Sequence, residues 1–193
     1  MKRIGITGGI GSGKSYIAAV LVKMGYPVFN SDIRAKELTN THPEIIHGLK
    51  ARFGEHIYED QQVNKAALSA KIFSSEEDRL FVNGLIHPLV REDFNAWSKQ
   101  QRGYVVFKEA AILFETGSYK ELDATVLVTA PYSLKIHRIM ERDGSSEAQA
   151  KARMDHQWSD AQKLPLATFN ISNDGVKPIL EQLELILISI TNL

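Results

Sequence analysis

The sequence predicts an α/β protein of three layers, with a five-stranded parallel sheet, a helical insertion and a helical lid. Three observations carry that expectation. Short apolar stretches suited to buried strands alternate with helix-like segments, the pattern of a mainly parallel sheet. A glycine-rich segment, Gly8 to Ser15, stands between the first such stretch and the first helix-like segment. The 193 residues suffice for one well-buried domain and are too few for two large ones. With no repeat, low-complexity tract or proline-rich linker to mark a boundary, a single domain over 1–193 is expected.

Each element has its own signal. Arg3 to Thr7 reads as a short buried strand, and the glycines after it turn the chain before Lys14 to Met24 continue with helical spacing. Pro27 to Asn30 reads as a second strand ending just before Ser31-Asp32. Residues 32–102 contain no convincing strand but several helix starts: Asn64 before Lys65 to Phe73, Ser75 with Asp78 three residues on, and Pro88 opening Leu89 to Trp97. Strand signals resume at Tyr104 to Phe107, Thr125 to Thr129 and Phe169 to Ile171, ahead of a last helix from Pro178 to Ile190. Between Pro131 and Leu166, Ser146 with Gln149 and Ser159 with Gln162 form two capping-box patterns, and Gly144 divides the run. The stretch of about 138–160 is the predicted lid.

Composition narrows the function classes. Lysine plus arginine equals aspartate plus glutamate at 23 each, so no global positive field is available for nucleic acid or an anionic membrane. Zero cysteines exclude disulfides, thiolate metal sites and a cysteine nucleophile, and suit a reducing compartment. The basic start, Met1-Lys2-Arg3, is followed by an apolar run broken by glycines and Lys14, unlike an export signal. The apolar stretch Ile186 to Ile190 is far below the ~20 residues of a membrane span. A cytoplasmic protein is expected, without nucleic-acid, membrane or obligate protein partners.

The chemistry begins with Gly8, Gly9, Ile10, Gly11, Ser12, Gly13, Lys14 and Ser15, which match the phosphate-loop pattern between a strand and a helix. Glycines let backbone N–H groups wrap a phosphate, the helix start adds partial positive charge, and Lys14 reaches the β and γ oxygens. Ser15 is expected to hold Mg²⁺ through its hydroxyl. The motif predicts nucleoside-triphosphate binding without separating a kinase from a switch protein or a motor. A guanine reader would need Asn-Lys-x-Asp, whereas Asn64-Lys65 is followed by Ala66-Ala67.

Other residues point to an acceptor. Asp32 follows the second strand, where parallel sheets open their crevice, and can take a hydroxyl proton or hold a metal-bound water; the alternative is a helix N-cap. Arg138 and Arg142 are four apart and share a helix face, able to clamp phosphate or stack on a purine, with Arg153 as a third candidate; the alternative is solvated surface. Glu109 and Glu115 flank the apolar run Ala110 to Phe114, which reads as lining a ligand crevice, though either glutamate can equally be exposed. His87-Pro88 reads alternatively as a helix boundary. Trp97 and Trp158 read as packing residues.

The ordered set Thr7 to Ser15, Asn30-Ser31-Asp32, Ile86-His87-Pro88-Leu89, Ile112-Leu113-Phe114-Glu115 and Glu141-Arg142-Asp143 resembles the dephospho-coenzyme A kinase family over nearly the whole chain. The resemblance implies a P-loop kinase fold and transfer of the ATP γ-phosphoryl to the 3′-hydroxyl of dephospho-coenzyme A. It implies that Asp32 acts as base, that His87, Leu113, Phe114 and Glu115 lie on the acceptor side, that residues through Tyr16 serve ATP, and that Arg142 is a lid residue. Asn30, Glu109, Ala111 and Tyr16 depart from the usual pattern, and Glu109 is assigned no catalytic role. Another small-molecule or nucleoside monophosphate kinase, and a nucleotide-dependent switch or binding protein, are the alternatives.

Overall fold

The structure, a computed structural model, describes residues 1–192. Strand β1 (Lys2–Thr7) leads through residues 8–13 into α1 (Lys14–Lys23), and β2 (Val28–Asn30) runs directly into α2 (Ser31–Thr41). Then come α3 (Pro43–Phe53), β3 (Tyr58–Glu59), β4 (Gln62–Val63), α4 (Lys65–Ser74) and the 25-residue α5 (Glu76–Gln100). The remainder is β5 (Val105–Glu109), β6 (Ala124–Thr129), α6 (Tyr132–Asp143), α7 (Glu147–Asp155), α8 (Asp160–Lys163), β7 (Phe169–Ser172) and α9 (Ile179–Thr191). The chain packs as two units: Met1–Asn30 with everything from Gln101 onward, and Ser31–Gln100.

The first unit is a three-layer α/β fold around a five-stranded sheet of order β2-β5-β1-β6-β7, with every pair parallel. Alternate side chains, Ile4 and Ile6 of β1, Phe107 of β5, Val126 and Val128 of β6 and Ile171 of β7, form one buried face. Ile17 and Leu21 of α1 and Leu183, Ile186, Leu187 and Ile190 of α9 cover it, because these residues recur at helical spacing. On the opposite face a Cβ at Gly5 would stand 2.5 Å from Leu113 and 2.8 Å from Leu122, so any larger residue would have to push these two leucine side chains aside. The register sets Ile6 beside Glu109, and Asn30 beside Glu109 on the other side. Three strand ends thereby meet at the carboxyl edge of the sheet, where parallel folds place their sites.

The second unit is helical, with one short hairpin. Asn64 caps α4 by accepting the Ala67 N–H at 3.0 Å, and Ser75 accepts the Asp78 N–H at 3.1 Å, as the sequence predicts. Arg34 fixes α2 to α5 through Asp93, with Nε and Nη2 at 2.6 and 3.0 Å from the two carboxylate oxygens. Two expectations are corrected here. Strands β3 and β4 do exist, joined at Asp60 and Gln61 with φ of 47° and 64°; two-residue strands are too short to show a period, and this turn uses neither glycine nor asparagine. Pro88 lies inside α5 rather than at its start. A proline ring crowds the carbonyl four residues earlier, here that of Gly84, which is exposed with open space around it.

Candidate active site

Of the glycines of residues 8–13, Gly8, Gly11 and Gly13 are required by close approach, while Gly9 has room for a Cβ. A Cβ on Gly8 would meet the Val128 carbonyl at 2.5 Å, and one on Gly11, where φ is 79°, the Lys135 carbonyl at 2.6 Å. At Gly13, with φ of 92°, it would meet Asn173 Nδ2 at 2.1 Å. Helix α1 starts directly after Gly13 without a side-chain cap. Its first N–H groups therefore face the loop interior with the positive end of the helix dipole, an anion site built from backbone alone.

Beneath this loop stands Glu109, 2% exposed at the end of β5. Its Oε1 accepts the Ser15 hydroxyl at 2.6 Å and lies 3.8 Å from Lys14 Nζ, while Oε2 accepts Asn30 Nδ2 at 2.7 Å. The hydroxyl and carboxylate are hard oxygen donors of the kind Mg²⁺ takes, and an ion that keeps its waters and phosphate ligands needs only one or two of them from protein. Ser15 with Glu109 thus fits the ion that the loop motif calls for.

Helix α6 closes the other side. Arg138 donates through Nη1 to the Gly11 and Ser12 carbonyls at 3.3 and 3.4 Å, and through Nη2 to the Asn173 carbonyl at 3.3 Å. Asn173 Nδ2 also donates to the Ser12 carbonyl at 2.8 Å. Gln157 Oε1 accepts the Ile10 N–H at 2.8 Å. Lys135, nearly buried, pairs with Asp160 at 2.5 Å beside Gly9. Between loop and helix lies a cleft of about 380 Å³, lined by Gly9, Ile10, Gly11, Gly13, Lys14 and Ser15 opposite Arg138, Arg142 and Gln157.

Arg142, at the end of α6, holds Asp143 through Nε and Nη2 at 2.8 and 2.9 Å, and Arg153 of α7 pairs with the same carboxylate. The hydrogen bond from Arg142 leads in pulling the Asp143 carboxyl well below its ordinary range, with Arg153 adding to it, and Asp143 holds the Arg142 guanidinium charged. The two predicted arginines therefore differ in role within one cleft: Arg138 braces loop carbonyls, and Arg142 presents an oriented guanidinium.

The other predicted residues scatter. Asp32 belongs to the second unit and sits in the first turn of α2, which begins at Ser31, so it is inside the helix rather than its cap. His87 lies within α5 of the same unit. Leu113 and Phe114, expected beside a ligand, are 0% and 2% exposed, packed near Gly5 and against the Tyr119 ring. Glu115 is tied to α8: its Oε1 lies 2.8 Å from Nζ of the fully buried Lys163, an ion pair whose alignment falls short of a hydrogen bond, and accepts the Trp158 N–H at 3.2 Å. Tyr16 is 59% exposed and outside the cleft lining, and Trp158 is 42% exposed rather than a packing residue; Trp97 does stack on Phe94. The sequence does not single out Gln157, Asn173 or Lys163, and it names Glu109 only as flanking a crevice-lining run, with no catalytic role. For Glu109 a signal existed: a carboxylate at a strand's carboxyl end, the same argument that singled out Asp32.

A family model described as dephospho-CoA kinase matches residues 2–178. A dephospho-CoA kinase of Bacteroides fragilis is 42% identical over 186 residues, covering 95% of this chain and 91% of that one. Among solved structures, TT1252 from Thermus thermophilus is similar with a TM-score of 0.85 at 33% identity, covering 99% of this chain and 96% of its own. A dephospho-CoA kinase from Campylobacter jejuni has a TM-score of 0.68 at 24% identity, covering 99% and 98%, a likeness of fold.

Proposed function

The chain belongs to the dephospho-CoA kinase family, and from that premise we propose how its residues divide the work. It is a phosphotransferase that moves the γ-phosphoryl of ATP to the 3′-hydroxyl of dephospho-CoA, giving CoA and ADP. The loop amides and Lys14 bind the β- and γ-phosphates, the geometry that supports this being the uncapped start of α1 behind Gly13. Ser15 and Glu109 would hold Mg²⁺, which when bound neutralises charge on the phosphate oxygens. We place Glu109 rather than Asp32 nearest the ion because it is Glu109 that accepts the Ser15 hydroxyl. Arg138 fixes the loop's shape, and Arg142 offers charge to the phosphoryl group as it transfers.

The second unit is read as the acceptor region, making both units one kinase domain, with Asp32 as the base that takes the 3′-hydroxyl proton. His87 and Glu115 stay as proposed acceptor-side residues, Glu115 acting through its hold on the 157–163 segment. No helix among the described residues is long and apolar enough to cross a membrane, and the balanced charge and lack of cysteine support the cytoplasm as its compartment.

The observation that carries this reading is the Ser15, Glu109 and Lys14 cluster set beneath a phosphate loop. A panel of acceptors tests it: with Mg²⁺-ATP, dephospho-CoA should outcompete AMP, nucleosides and shikimate. Preference for another acceptor would refute the assignment, and transfer no faster than ATP hydrolysis would point to a switch protein instead.

A further inference from the structure

Of the loop's backbone donors, Ile10 N–H stands out because a side chain already occupies it: Gln157 Oε1 at 2.8 Å. Ile10 and Gln157 both line the cleft assigned to the triphosphate. We propose that Gln157 is a built-in competitor for phosphate, its amide oxygen standing where a phosphate oxygen of the nucleotide would sit, so that nucleotide binding must first displace it. The proposal rests on reading this cleft as the ATP site.

The surroundings fit a side chain that swings while its backbone stays. Gln157 N–H donates to the Met154 carbonyl at 3.0 Å, closing the end of α7. The next residue, Trp158, donates its N–H to Glu115, whose carboxylate is ion-paired with the fully buried Lys163. The 157–158 backbone is therefore pinned on both sides, and exchanging partners at Ile10 needs only rotation about the glutamine's own bonds. There is room for it. Gln157 also lines a second cleft, of about 420 Å³, with Tyr132, Lys135 and Trp158.

The exchange runs in favour of the nucleotide because an N–H bonded to an anionic oxygen is stronger than one bonded to a neutral amide. The glutamine lowers affinity without abolishing binding. Its cost is that of one neutral hydrogen bond, roughly two- to tenfold in Kd.

Calorimetric titration of the intact protein with ATP and with inorganic tripolyphosphate, no acceptor present, tests this. Gln157→Ala should bind both roughly two- to tenfold more tightly than wild type. Gln157→Glu keeps an acceptor on Ile10 but adds negative charge, and should bind more weakly than wild type. Opposite directions for the two variants are the signature of competition; a merely structural glutamine would weaken binding in both. Should Gln157→Ala fail to fold, Gln157→Met fills the space without an acceptor and carries the same expectation. Equal or weaker binding by the folded apolar variant overturns the proposal while leaving the ATP site intact. Failure of wild type to bind either ligand overturns the ATP-site reading itself, and the proposal with it.

Discussion

Glu109 shows how far a single side chain's role depends on what stands beside it. Its carboxylate joins Ser15, Lys14 and Asn30, residues far from it in the chain that the β2-β5-β1 register brings to it. The replacement Glu109→Gln keeps size and the acceptor for Ser15 but removes the charge that would steady a cation. It should raise the Mg²⁺ concentration needed for half-maximal rate about 10–100-fold, with little change in melting temperature; an unaltered Mg²⁺ titration would remove Glu109 from the metal side. The replacement Asp32→Asn tests the base. Turnover should fall roughly 10²- to 10⁴-fold while dephospho-CoA binding holds within a few fold, because positioned proton transfer acts on the chemical step. Near wild-type turnover would leave Asp32 as a first-turn helix carboxylate and nothing more. The phosphate loop was legible in the sequence because its residues are contiguous and its chemistry is mostly backbone. Glu109 was legible only as a carboxylate near a strand end, and Asn173 and Gln157 not at all, because each acquires its role from a partner the sequence does not adjoin.

At the scale of elements, local signals held wherever both partners lie within a few residues. Ser146 with Gln149 and Ser159 with Gln162 form complete capping boxes, and Gly144 ends α6 with φ of 62°. The β3-β4 hairpin and the course of α5 through Pro88 depend instead on packing and on open space at Gly84, which no local pattern reveals. The turn between β7 and α9 adds an expectation about acid. Asp174 accepts the N–H groups of Lys177 and Val176 and the Ser172 hydroxyl, and these bonds draw its carboxyl from 3.8 down to about 2. Because the folded value is the lower one, this contribution is full above pH 3.8 and is lost as pH falls toward 2. Asp174→Ala should therefore flatten that part of the stability curve in acid unfolding monitored by circular dichroism. An unchanged slope would show the turn to be indifferent to that charge.

For the whole molecule, the alternation of strands and helices was enough to give the sheet and its parallel sense, while strand order had to come from the structure. That order carries a consequence for the way the protein is made. Strand β1 and its loop are synthesised well ahead of their sheet partners, because Lys2 pairs with Val105 and Ile4 with Ala124, so β1 has no sheet neighbour until β5 has been made. The stretch between, Ser31–Gln100, is a compact unit of its own, and local helical contacts form before distant strand pairings. In pulse-labelled hydrogen exchange during refolding, amides of α2 and α5 should gain protection ahead of those of β1. On that expectation the nascent protein passes through a stage in which its helical unit is already folded and its phosphate loop, though translated, has no sheet to stand on.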